Sequence, residues 1–207
     1  MEDIKLKDFI KIYNGVLPAG ICSDLIDNFE KHQEDHIQSG MGKDEHHDSY
    51  RNAIEMNCSV ISDNDVDWKF LTSSLNKVVM DYFNRYMYDM KHAGLSHISI
   101  PESNILEEWR MHKYEQGKHY YKKHVDSCDS NSSIRMLSFL FYLNDVEEGG
   151  ETAFTDHLKG IECKPKQGRL LVFPTWMGFP HEAKEVIKGT KYMIKSYIHY
   201  PGELEIE

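Results

Sequence analysis

After Pro101 the sequence breaks into short runs with strand character, at about 105–114, 119–126, 134–143, 169–173, 181–187 and 191–199. Turn signals separate them at Glu115–Gly117, Gly149–Gly150, Gly168 and Gly189. Many short strands with no helix between them predict an all-β barrel or jelly roll. The first half has a different texture. Residues 19–32 put Ile21, Leu25, Ile26 and Phe29 at helical spacing. A longer helix follows Asp65 or Asp67 as cap and runs to about His92, with Leu71, Leu75, Val78, Val79, Tyr82, Phe83 and Tyr86 along one side. Phe9–Tyr13 and Ile54–Ile61 read as strands. Helices confined to one end of the chain can pack on one outer face of the barrel. One domain over 1–207 is expected, with helical support and outer strands in 1–100 and the β core in 101–200.

Residues 33–52 are polar and carry Gly40 and Gly42. That is long for a structureless connection, so it reads as a mobile segment, a lid or a disordered stretch. A 40% apolar fraction suffices for a sizeable core, and a net charge of −10 argues against nucleic acid as a partner. Four cysteines, Cys22, Cys58, Cys128 and Cys163, show no CxxC pairing. With no signal-like N-terminus and no membrane-length apolar run, the expectation is a reduced, cytoplasmic protein. Neither partners nor oligomeric state follow from composition.

Two stretches carry chemistry. In HVDSCD, His124 and Asp126 are two apart, so on a strand both side chains share a face. With His181 downstream they can supply the two imidazoles and one carboxylate of a facial triad for Fe(II). A surface histidine beside an aspartate is the plainer alternative for the pair alone. In KYMIKSYIH (191–199), Lys191, Met193, Lys195, Tyr197 and His199 share one face, while Tyr192, Ile194, Ser196 and Ile198 share the other. The even face suits packing. The odd face is either solvent-facing or the wall of a polar cavity, and a lysine inside a barrel needs an anion.

Four segments in order resemble the prolyl 4-hydroxylase branch of the Fe(II)- and 2-oxoglutarate-dependent dioxygenases. They are YEQGKHYYKKHVD (114–126), RMLSFLFYLNDVEEGGET (135–152), GRLLVFP (168–174) and HEAKEVIKGTKYMIKSYIH (181–199). The resemblance implies a double-stranded β-helix (jelly-roll, cupin-like) core, mainly β with N-terminal helices. It implies His124, Asp126 and His181 as the iron ligands. Lys191 matches the cation that pairs with the distal carboxylate of 2-oxoglutarate, assisted by the Thr152 hydroxyl. Tyr114 matches a cosubstrate-binding tyrosine. Its spacing to His124 is one residue longer than the family's, which leaves Tyr120 and Tyr121 as further candidates for that contact. Tyr197 stands where the branch often has tryptophan and lies in the cosubstrate-binding set. Arg135 and His199 match positions that hold the peptidyl substrate.

The implied activity is hydroxylation of a peptidyl proline in a protein or peptide, coupled to oxidation of 2-oxoglutarate to succinate and carbon dioxide by O2. Ascorbate is the candidate reductant. Two alternatives stay open: the same cofactors acting on a free amino acid, another side chain or a small metabolite, or a metal-binding jelly roll without catalysis. Asp129 lies past the strand and is a weak rival to Asp126. His112 and His119 read as satisfied histidines on neighbouring strands, and His157 as a loop residue.

Overall fold

The computed structural model describes residues 5–39, 50–95 and 100–202. In chain order the strands are β1 (Lys11–Tyr13), β2 (Ile37–Ser39), β3 (Arg51–Asn57), β4 (Arg110–Glu115), β5 (Tyr120–His124), β6 (Arg135–Tyr142), β7 (Glu148–Gly149), β8 (Thr152–Phe154), β9 (Glu162–Cys163), β10 (Arg169–Pro174), β11 (His181–Ala183), β12 (Val186–Lys188) and β13 (Thr190–His199). The helices are α1 (Ala19–Lys31), α2 (Cys58–Ser62) and α3 (Val66–His92). The strands pair in the order β1-β10-β6-β13-β4-β3-β5-β11-β8-β9, with β2 added on β3 and β7–β12 as a separate ribbon. β3 bridges the two halves of this path: Ile54–Asn57 pair with β4, and Arg51–Asn52 pair with β5. The result is the nearly closed antiparallel barrel expected of a jelly roll.

Period-two alternation sorts the side chains of the larger half. Leu137, Phe139, Phe141, Leu170, Val172, Ile194 and Ile198 face α1 and α3, where they meet Leu25, Phe29, Leu71, Leu75, Val79, Phe83 and Tyr86. Leu140, Tyr142, Leu171, Phe173, Met193 and Tyr114 face the barrel interior. The even face of β13 therefore packs on the helices, and its odd face lines the cavity. Asp65 caps α3 by accepting from the Trp68 amide at 2.8 Å. No helix among the described residues is long and apolar enough to cross a membrane.

Several boundaries differ from expectation for identifiable reasons. The run Ile54–Ile61 stops as a strand at Asn57, whose side chain accepts from the Ser59 and Val60 amides and caps α2. Only Lys11–Tyr13 of the first run pairs, because Leu6–Phe9 coils as a 3-10 turn. Both ends of 33–52 are built: Gln33–Asp35 turn, and β2 pairs with β3. Residues 40–49, where a mobile segment was expected, lie outside the described residues. β7, β8 and β9 are two or three residues long, too short for alternation to register. At Gly149 (φ +78°) a Cβ would overlap the Glu185 carbonyl oxygen, so this turn requires glycine.

Candidate active site

β5 and β11 pair antiparallel with His124 opposite His181. Register alone thus brings two imidazoles from distant sequence together, with ring centroids 4.3 Å apart. β5 ends at His124, and Asp126 follows on a bend rather than on the strand. The bend still delivers the carboxylate: Oδ1 lies 3.7 Å from His124 Nε2, and Oδ2 lies 3.6 Å from His181 Nε2. Among the described residues these three are the cluster able to hold a metal ion, their ligating atoms all within 4.8 Å of one another.

The tautomers follow from the backbone. His124 Nδ1 lies 2.8 Å from the Lys122 carbonyl, and His181 Nδ1 lies 3.0 Å from the Phe179 carbonyl. A carbonyl only accepts, so each Nδ1 carries the proton and each Nε2 turns its lone pair toward Asp126. Burial holds His181 down to about 4, against the pull of Asp126, so its imidazole stays neutral. Burial opposes the Asp126 charge, yet its carboxyl is held well below the usual range, with the nearby Lys195 ammonium favouring ionisation. Ser138 Oγ donates to Asp126 Oδ2 at 2.5 Å, and the Tyr197 hydroxyl donates to Oδ1 at 3.0 Å. Two imidazoles and an ionised carboxylate form the donor set that suits a divalent iron.

A narrow pocket opens beside the triad, lined by His112, Tyr114, Thr152, Met193 and Lys195 among others. Thr152 accepts from the Tyr142 hydroxyl at 2.7 Å. Lys191 is wholly buried behind this wall, where its ammonium donates to the Gly150 carbonyl at 2.7 Å and lies 5.0 Å from the Tyr114 ring. Burial pushes it down to about 8. Lys195 reaches the pocket directly and donates to the Tyr197 hydroxyl at 2.8 Å. Tyr121 stacks on His124 with centroids 3.5 Å apart and lines both this pocket and an adjoining, more open cavity.

Arg135 and His199 meet on a residue that no sequence signal singled out, Glu107. Arg135 grips both Glu107 oxygens at 2.6 Å, and His199 Nε2 lies 3.1 Å from Oε2. The remaining Arg135 nitrogen donates to the Asp126 carbonyl at 2.8 Å, so this ion pair buttresses the bend that carries a triad residue. Neither Arg135 nor His199 lines the triad pocket. His119 is satisfied as expected, accepting from the Glu115 amide. His157 Nε2 contacts the Gly178 carbonyl, and Asp129 braces the turn at Ser132. His112 departs from expectation: it lines the pocket, and its Nε2 has no partner among the described residues.

Residues 109–199 match the family model of the 2OG-Fe(II) oxygenase superfamily. The chain is similar to curated prolyl 4-hydroxylases. It is 33% identical over 123 residues to probable prolyl 4-hydroxylase 3 of Arabidopsis thaliana, covering 45% of this chain and 42% of that protein. It is 30% identical over 122 residues to prolyl 4-hydroxylase 13 of the same plant, covering 46% and 43%. The chain thus spans less than half the length of these curated relatives. Fold likeness extends further. A viral collagen prolyl hydroxylase from Paramecium bursaria Chlorella virus-1, solved with 2OG, superposes with TM-score 0.66 at 20% identity, over 93% of this chain and 97% of that one. A Trichoplax adhaerens prolyl hydroxylase, solved with a hypoxia inducible factor peptide fragment, superposes with TM-score 0.71 at 16% identity, over 93% and 84%.

Proposed function

We propose that this protein is an Fe(II)- and 2-oxoglutarate-dependent dioxygenase that hydroxylates a proline in a protein or peptide. The observation that carries the reading is the buried His124–Asp126–His181 cluster beside a pocket with lysines in and behind its wall. In this reading His124, Asp126 and His181 hold the iron. Bound iron would supply the activation of O2 that couples oxidation of 2-oxoglutarate to C–H hydroxylation, with ascorbate as reductant. The protein's own part is binding and orientation. Lys191 supplies the charge for the distal carboxylate of 2-oxoglutarate, with Thr152 and Tyr114 lining that end of the pocket. Tyr197 orients the Asp126 carboxylate. Arg135 and His199, joined through Glu107, are assigned to positioning the peptide. The prolyl hydroxylase relatives, one of them solved with a peptide, support a peptidyl substrate. The four free cysteines suit a reducing, cytoplasmic setting.

The test is direct. With Fe(II), 2-oxoglutarate, ascorbate and air, the protein should release succinate and add one oxygen atom to proline in a peptide library read by mass spectrometry. No succinate with any peptide, from protein that binds iron, would overturn the reading. Oxygen gained by a free amino acid or by a side chain other than proline would redirect it.

A further inference from the structure

The inner face of the barrel carries more positive charge than Lys191 accounts for. Three groups stand close together. Lys195 lines the triad pocket and spends one of its three ammonium protons on Tyr197. His112 sits on the same face one register step away, because β13 and β4 pair Met193 with His112 and Lys195 with Arg110. Arg51 enters from β3, its guanidinium 4.9 Å from the Tyr121 ring and its Nη2 3.1 Å from His112 Nδ1.

The hydrogen-bond inventory of this group does not close. A guanidinium only donates, so His112 Nδ1 accepts from Arg51 and the imidazole proton sits on Nε2. That Nε2 is buried, in a side chain 1% exposed that lines the pocket, and it has no acceptor among the described residues. Arg51 Nε is likewise buried without a partner among them. Each such orphan donor costs about 1–3 kcal/mol unless something accepts from it. The local acids are committed elsewhere. Glu55 is shared between Arg51 and Arg110, with His112 Nδ1 3.5 Å away. Asp126 belongs to the triad. Arg110 also reaches Glu108 at 3.5 Å, and among the described residues Glu55 is the carboxylate that Arg51 pairs with.

We propose that Lys195, His112 and Arg51 form a carboxylate-binding subsite in the active-site pocket, distinct from Lys191. A carboxylate accepts from several donors at once, which matches an ammonium and an imidazole N–H opening on one cavity, with a guanidinium behind them. It has two sources of the same chemistry: the carboxylate of 2-oxoglutarate that Lys191 does not hold, or a carboxylate of the hydroxylated substrate. The second source would make the enzyme selective for acidic peptides or for a free amino acid. This inference rests on the dioxygenase reading only in naming those sources.

The test uses succinate, a dicarboxylate without a metal-chelating 2-oxo group, titrated calorimetrically into the metal-free protein. Wild type should bind it, Lys195→Met should bind it about tenfold more weakly or worse, and Lys195→Arg should retain binding. His112→Leu, which removes the orphan donor and keeps the ammonium, should lose several-fold. Thermal melts establish that each variant is folded, and the His112→Leu arm decides if Lys195→Met is not. No succinate binding by wild type, or equal binding by wild type and the folded variants, overturns the subsite. Saturating 2-oxoglutarate with Mn(II) then separates the sources. Displacement of succinate, with weaker 2-oxoglutarate binding in Lys195→Met, assigns the subsite to the cosubstrate. Succinate binding alongside 2-oxoglutarate assigns it to the substrate. Failure of Mn(II)-loaded wild type to bind 2-oxoglutarate sinks the dioxygenase reading and leaves the succinate result standing.

Discussion

The Tyr197 hydroxyl donates to Asp126 Oδ1 at 3.0 Å, so the carboxylate beside the two imidazoles is aimed by a tyrosine from the opposite sheet. Lys195 donates to that same hydroxyl, which orients its proton toward Asp126. Hydrogen bonds to a metal-binding carboxylate fix its rotamer, and losing one typically costs 10–100-fold in metal affinity or activity, so Tyr197→Phe should weaken Mn(II) binding by roughly that factor. The ring, and its contact with the Arg135 guanidinium at 4.1 Å, remains. Electron paramagnetic resonance titration of Mn(II) reads the change. Equal affinity in wild type and Tyr197→Phe would mean that Ser138 and the bend hold Asp126 unaided.

Glu107→Gln tests the buttress under the same bend. Glu107 is gripped by Arg135 and touched by His199, and those donors hold its carboxyl low against the effect of burial. The amide keeps the size and loses the charge, leaving a half-buried guanidinium with one neutral acceptor. We predict a loss of about 2–4 kcal/mol in urea denaturation, the range for breaking a partly buried charge pair. Metal affinity should fall too, through the Arg135 hydrogen bond to the Asp126 carbonyl. A stability change below about 0.5 kcal/mol would place the pair among surface ion pairs of little worth.

How much of this was legible in the sequence depended on the physical range of each signal. Alternation along β13 separated Ile194 and Ile198 from Lys191, Met193, Lys195 and Tyr197, because the strand is ten residues long, but left open whether the second face met solvent or a cavity. The same logic placed His124 and Asp126 together on a strand. They do converge, although the strand ends at His124 and the bend does the final aiming. Glu107 carried no signal, because it precedes β4 in an irregular segment and acts through residues 28 and 92 positions away. His112 read as an ordinary strand histidine. Its orphan nitrogen depends on Arg51, which is 61 positions distant and reaches it only across the β3–β4 pairing.

Gly149→Ala should disturb the Lys191 side of the pocket without touching any side chain in it. The position has φ +78°, and a Cβ would collide with backbone at Glu185 and Ile187. The adjacent Gly150 carbonyl is the acceptor for Lys191, so a shifted turn pulls on the buried ammonium. Strain of this kind is worth about 1–3 kcal/mol. Expected outcomes are a lower Tm and weaker 2-oxoglutarate binding, with Mn(II) affinity close to wild type. Wild-type 2-oxoglutarate affinity would show that the turn does not position Lys191.

Lys191 also makes a prediction about pH. In the folded, ligand-free protein burial lowers it from 10.5 to about 8, while in the unfolded chain it titrates near its ordinary value. Below pH 8 both forms carry the proton, and folding bears the full cost of burying an ammonium, on the order of 3 kcal/mol. Between pH 8 and 10.5 the unfolded chain binds more protons than the folded one, so stability rises with pH across that window. Lys191→Met removes the cost. In urea denaturation of metal-free protein it should exceed wild type in stability at pH 7 by a few kcal/mol. Its advantage should shrink steadily as pH climbs from 8 toward 10, before the tyrosines begin to ionise. Saturating 2-oxoglutarate with Mn(II) should remove the advantage at pH 7 in the same way, by giving the ammonium a partner. A stability difference independent of pH would mean that the Gly150 carbonyl and the surrounding rings already compensate the buried charge.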